Sequence, residues 1–116
     1  MNRPLFSLDI DGTLDIGDPP GPLQIVRVKR AVERGCIVGS CSDRPLSTQR
    51  RLFAQHGITV EFAVSKHMLD EVKAKFSAHT YYHVGDREDL DKRYALLAGF
   101  EFLWPHESTE LNWFEE

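Results

Sequence analysis

Acidic side chains collect at the ends of three short apolar runs in this chain of 116 residues. Asp9 and Asp11 flank Ile10 where the run from Leu5 closes, just ahead of Gly12 and Thr13. Ser42, Asp43, Arg44 and Pro45 follow the run Cys36 to Cys41, and Gly85 and Asp86 follow Thr80 to Val84, with Asp89 and Asp91 close behind. Taken singly, each aspartate is an ordinary helix cap or turn residue. Together they are harder to place. Asp9 stands at the end of an apolar strand, where an unpaired carboxylate is expensive. Ligands of open parallel sheets bind beyond the carboxyl ends of the strands, so Asp9 should share its neighbourhood with Asp11 and Asp86. Like charges repel at that range unless a cation sits among them. A hard divalent ion with oxygen ligands removes the conflict, and Mg2+ held by a few carboxylates, waters and a phosphate is its ordinary mode. The cluster predicts its own Mg2+.

The elements that must carry these residues read as alternating β and α. Leu5 to Ile10 is strand one, and Gly12 to Pro22, rich in proline and glycine, is a loop. Ile25, Val28 and Val32 recur at helical spacing in a first helix ended by Gly35. Cys36 to Cys41 is strand two, and a second helix runs to about His56 before Gly57. Thr59 to Val64 is strand three, and Leu69, Val72 and Phe76 mark the buried stripe of helix three. Thr80 to Val84 is strand four, Leu90, Tyr94 and Leu97 define helix four before Gly99, and Phe100 to Trp104 is strand five. Such alternation is what a parallel sheet with crossover helices requires. In the tail from His106 to Glu116, the rings of Trp113 and Phe114 are expected to cap the domain's own core. One α/β domain spanning residues 1–116 is the expectation.

At this point the residues resemble a family. Asp9-Ile10-Asp11-Gly12-Thr13-Leu14 is similar to the first signature of the haloacid dehalogenase superfamily of phosphohydrolases, Asp-x-Asp-Gly-Thr. Ser42 ahead of Asp43-Arg44-Pro45 resembles the second motif, Lys66 the third, and Gly85-Asp86 with a downstream acid the fourth, all in the family's order. The resemblance implies a Rossmann-like three-layer α/β/α sandwich with a mainly parallel five-stranded sheet. It also implies an aspartyl-phosphate mechanism: Asp9 as nucleophile, Asp11 as general acid and base, and Ser42 and Lys66 holding the phosphoryl group beside Gly12 and Thr13. Mg2+ would be held by Asp9, Asp86 and the Asp11 carbonyl, with Asp91 orienting Lys66 or the metal's waters. Asp91 fits the spacing Gly-Asp-x-x-x-x-Asp better than Asp89 does. Asp43 departs from the family, because many relatives have glycine there. Neither usual cap insertion is present, which implies an open site suited to a bulky or macromolecular phosphate unless a partner covers it. A phosphoaccepting module or a non-catalytic regulatory domain of the same fold is the alternative.

Composition narrows the partners. Hydrophobic residues make up 41% and charged residues 28% of the chain, and the net charge of −4 carries no basic footprint for bulk nucleic-acid binding. No apolar run reaches the ~20 residues that span a bilayer, and the start of the chain is unlike a signal peptide. Two cysteines five positions apart do not make a disulfide framework, which points to a reducing, cytoplasmic setting. Lys73 and Lys75 lie too far along helix three to rival Lys66. His67, His79, His83 and His106 lack metal-ligand spacing and read as structural, His83 being the one that lies inside strand four next to the site.

Overall fold

A computed structural model describes residues 3–115; the readings that rest on Met1, Asn2 and Glu116 lie outside the described residues. Five strands, β1 (Leu5–Leu8), β2 (Ile37–Cys41), β3 (Ala63–Val64), β4 (Tyr81–Val84) and β5 (Glu101–Leu103), form one sheet in the order β3-β2-β1-β4-β5. Every pairing is parallel. The crossovers carry helices α1 (Ile25–Glu33), α2 (Leu46–Ala54), α3 (Leu69–Lys75) and α4 (Arg93–Leu97), and a short α5 (Pro105–Ser108) follows β5.

Strand periodicity sorts the core into two faces. Phe6 and Leu8 of β1 pack with Ile25, Val28 and Ala31 of α1 and with Phe53 of α2. Leu5 packs on the opposite side with Leu69 and Val72 of α3 and Ala95 of α4. Helices therefore cover both faces, as the expected three-layer α/β arrangement requires. Because successive strand residues alternate, Ser7 and Asp9 share the face of Leu5, the one that α3 and α4 cover. The chain builds outward from β1 through β2 to β3, then returns to place β4 on the other side of β1. That reversal puts a crevice at the carboxyl ends of β1 and β4, the switch point where such sheets take ligands.

Several expected elements are adjusted. Strand three is shorter than Thr59 to Val64, although Glu61 N–H still donates to the Val38 carbonyl and Ser40 N–H to the Phe62 carbonyl. The Phe62 ring lies directly over Gly39, so a side chain at residue 39 would collide with it. Val32 is 36% exposed, and Ala31 replaces it in the core. Leu97 is 72% exposed because the element before it opens as a wide turn, Glu88–Lys92, with five-residue hydrogen bonding. That turn rotates Asp91 and Ala95, instead of Leu90 and Leu97, onto the buried face. Turns of this kind recur at functional sites.

The tail behaves as expected. Phe114 is fully buried edge-to-face against Phe6, with centroids 4.8 Å apart, and Arg34 donates to the carbonyls of Asn112 and Trp113. Cys36 and Cys41 are free, buried and on opposite faces of the sheet. Burial pushes both thiols up, Cys36 to about 12, which leaves them unreactive. Among the described residues no helix is long and apolar enough to cross a membrane.

Candidate functional site

Asp9 extends the β1 ladder by one residue, its N–H donating to the Val84 carbonyl, which fixes its backbone between β2 and β4. The side chain is almost wholly buried. Lys66 follows β3 in a single 3-10 turn, Lys66–Met68, and that tight turn aims its ammonium back across the strand ends. Nζ lies 3.6 Å from Asp9 Oδ2, 3.7 Å from Asp43 Oδ2 and 3.2 Å from Asp91 Oδ2. Burial alone would lower the Lys66 pKa, but Asp9, Asp91 and Asp43 outweigh it and hold the ammonium charged. The Asp9 pKa is also pushed up, to about 8, which in a carboxyl favours the neutral form, because burial and the Asp91 and Asp86 charges exceed the help from Lys66 and from the Ile10 amide.

Asp11 is held differently. Arg44 Nη2 donates to its Oδ1 at 2.7 Å and Nε to its Oδ2 at 3.0 Å, a bidentate pair, and the Asp18 amide adds a bond of 2.8 Å. The Arg44 hydrogen bonds, with the Asp18 amide, lower the Asp11 pKa despite partial burial. The loop from Gly12 to Pro22 is closed on itself by a bridge between Leu14 and Leu23, so it is a fixed flap. Gly17 and Gly21 make that closure feasible: a side chain at either would lie within 2.4 Å of backbone at Ile10 or Thr13.

Ser42 follows β2 and is buried, its amide donating to the Val64 carbonyl and its hydroxyl accepting from the Arg44 amide at 3.1 Å. Behind it stands Gln49, a fully buried amide in α2. Its Nε2 donates to the carbonyls of Ser42 (3.1 Å), Arg44 (2.9 Å) and Val64 (3.3 Å), and its Oε1 accepts from Ser40 Oγ at 2.5 Å. One side chain thus ties the loop bearing Ser42 and Arg44 to the strand end that launches Lys66. Gln49→Glu replaces that donor with a carboxylate facing three carbonyls. The expected result is a loss of at least about 1–3 kcal/mol of stability, read by urea denaturation.

Asp86 opens the fourth strand end, and one oxygen from each of Asp9, Asp86 and Asp91 falls within 4.8 Å of the others. Gly12 and Gly85 permit this crowding, because a side chain at Gly12 would meet Asp86 Oδ2 at 1.9 Å and one at Gly85 would meet Asp91 Cγ at 2.1 Å. Gly12 also adopts a φ of 74°, which favours glycine. Three hard oxygen donors, one raised in pKa by burial and then by the charges of the others, suit a divalent cation with carboxylate preference. Asp91 is the most committed of the three: its oxygens already accept from His83 Nε2 (2.8 Å), Lys66 Nζ (3.2 Å) and the Arg87 amide (3.1 Å). It holds Lys66 more directly than it faces solvent. Asp89 is exposed and paired with Arg87, away from the cluster, so Asp91 is the acid that joins the site.

Asp9, Asp11, Ser42, Lys66 and Asp86 thus line one cleft of about 220 Å³, with Pro19, Asp43 and Arg87 at its mouth. Gly12 and Thr13 do not line that cleft, and their amides are taken by the Pro19 and Ile10 carbonyls at 2.7 and 3.1 Å. Thr13 Oγ1 is buried without a hydrogen-bond partner. Gln49, Ser7 and the link from His83 to Asp91 were not legible in the sequence; only the position of His83 beside the fourth motif hinted at the last. Compared with protein-family models, curated proteins and solved structures, the chain matches none. Fold and site together define a small doubly wound α/β domain with an acidic, lysine-bearing cleft at its switch point.

Proposed function

We propose that this chain is a Mg2+-dependent phosphatase of the haloacid dehalogenase type, hydrolysing a phosphate monoester through an aspartyl phosphate on Asp9. The observation that carries the reading is the convergence on one cleft of a buried carboxylate, an ammonium, a hydroxyl and a second carboxylate, delivered by separate strand ends. An Asp9 oxygen attacks phosphorus, the ester oxygen departs, and Asp11 supplies the proton that oxygen takes up. Water then attacks the phosphorus of the aspartyl phosphate, Asp11 takes its proton, and inorganic phosphate leaves with the Asp9 carboxylate restored. Lys66 and Ser42 hold the phosphoryl oxygens by charge and hydrogen bond. Held by Asp9, Asp86 and the Asp11 carbonyl, with Asp91 behind them, Mg2+ would offset the repulsion between nucleophile and phosphate.

The cleft volume of about 220 Å³ accommodates a phosphoryl group and little else, below the ~300–1,000 Å³ of sites that enclose a small molecule. The rest of the substrate must lie over Pro19, Asp43 and Arg87, which favours a bulky or macromolecular phosphate that brings its own binding surface. Two buried, unreactive thiols fit a cytoplasmic setting. Chelation by EDTA is expected to abolish turnover of a phosphate-ester panel at pH 7, and added Mg2+ to restore it. Undiminished activity in rigorously metal-free protein sinks the mechanism. The Arg44 clamp on Asp11 favours one second reading, a phosphoaccepting domain with little turnover, because a carboxylate so held is a poor acid.

A further inference from the structure

Behind Lys66 and Asp91 lie two buried polar groups, His83 and Ser7, that the proposed reaction does not use. We infer that His83 is a positioning residue: through Asp91 it fixes the Lys66 ammonium that receives phosphate, and Ser7 fixes the His83 ring. This inference rests on the phosphate-binding role given to Lys66 above.

Ser7 on β1 and His83 on β4 are direct register partners, both fully buried, on the sheet face that also carries Asp9. Ser7 Oγ lies 2.9 Å from His83 Nδ1, and His83 Nε2 lies 2.8 Å from Asp91 Oδ1. A carboxylate only accepts, so the proton of that second contact sits on Nε2 whatever state Nδ1 is in. The other Asp91 oxygen accepts from Lys66. The relay therefore runs from a strand-held hydroxyl, through a ring and a carboxylate, to the buried ammonium in the cleft.

Lysine carries its charge on a four-carbon stem with many rotamers, and holding it for phosphate requires an anchor that does not itself turn. Asp91 becomes such an anchor only if both of its oxygens are engaged. Without the Nε2 donor, Oδ1 would be a buried acceptor with no partner, an expensive condition. The carboxylate would then rotate to share Lys66 between both oxygens and draw the ammonium away from the phosphoryl position. An apolar side chain of similar size would fill the His83 site, yet it would leave that demand unmet. The same logic explains a serine, in place of an apolar residue, facing the core at Ser7: its hydroxyl sets the ring plane that aims Nε2.

The test uses inorganic phosphate in the presence of Mg2+, its Kd measured by calorimetry on wild type, His83→Phe, His83→Gln, Ser7→Ala and, as the reference for loss of the ammonium, Lys66→Met, with the Tm of each. The Phe variant keeps a flat ring, larger than imidazole, and removes the donor, with its Tm reporting any overpacking, whereas Gln places an amide nitrogen near the Nε2 position. We expect His83→Phe to weaken phosphate about tenfold, His83→Gln to recover most of that loss, and Ser7→Ala to weaken it two- to threefold. Equal weakening in the Phe and Gln variants would show a merely structural role and overturn the inference. Unchanged affinity in folded His83→Phe overturns it too, with the phosphatase reading untouched. Where the Phe variant does not fold, the Ser7→Ala and His83→Gln pair decides the matter: wild-type affinity in the former, or loss in the latter as large as that of Lys66→Met, rejects it. Wild-type protein that binds no phosphate rejects the functional reading itself, and the inference with it.

Discussion

Asp9→Asn is expected to cut turnover by about 10⁴-fold or more, the scale on which removal of a nucleophile acts, while raising the melting temperature at neutral and alkaline pH. Both effects come from one feature, a carboxylate buried beside Asp91 and Asp86 with its pKa raised from 3.8 to about 8. The sign follows from linkage. Between those two values the folded state holds a proton that the unfolded state has lost, so stability falls as pH rises from about 4 to about 8 and then levels. Asparagine has no proton to lose, so its advantage should be near zero at pH 4 and reach on the order of a few kcal/mol at pH 8. Saturating Mg2+ should shrink that advantage, because a cation among the acids relieves in the wild type what the substitution relieves in the variant. Thermal scans of both proteins at pH 4, 6 and 8, with and without Mg2+, provide the check. A variant that is no more stable than wild type at pH 8 would show that the buried charge is already compensated.

Much of this site was legible in the sequence for a reason that lies in its chemistry. A carboxylate after an apolar strand, glycines where side chains would collide with acids, and a lysine after a strand end are local signals, and Asp9, Gly12, Lys66 and Gly85-Asp86 carry them within a few residues each. The alternation of strand and helix likewise specified an α/β sheet, and β1 to β5 fall where the apolar runs do. Long-range pairings carried no such signal. Gln49 looks like one more polar residue of an amphipathic helix, and only folding turns it inward onto three carbonyls from two other segments. Asp91 is legible from the spacing Gly-Asp-x-x-x-x-Asp, but the helical stripe of Leu90, Tyr94 and Leu97 does not show its burial, because a wide turn at Glu88–Lys92 shifts the phase. In that turn the Asp91 carboxylate accepts from the Arg87 amide, Lys66 and His83; the family resemblance pointed to Lys66, whereas one-dimensional spacing reveals neither of the other two.

Asp11→Asn is expected to lower kcat/KM for an alkyl phosphate by the ~10²- to 10⁴-fold typical of general acid-base groups, and to lower it much less for an activated aryl phosphate. The difference arises because kcat/KM reports the steps up to the aspartyl phosphate, and an aryl leaving group departs without a proton whereas an alkoxide needs one. Arg44 complicates this role: its two hydrogen bonds hold Asp11 as a carboxylate with a lowered pKa. At neutral pH the acid form is therefore scarce, and the first half-reaction on an alkyl ester should slow as pH rises above the acid range. Arg44→Gln removes the largest cause of that lowering, so the falling limb of the alkyl-ester profile should move to higher pH, with little change in the aryl profile. The paired substrates also separate turnover from phosphoacceptance. In a domain that only accepts phosphate, Asp11 never acts as the acid, and Asp11→Asn would leave the alkyl-to-aryl ratio unchanged. An unchanged ratio would sink the acid-base role of Asp11, and a ratio that collapses in Asp11→Asn while Arg44→Gln leaves the alkyl-ester pH limb in place would show that the clamp opens by itself when substrate arrives.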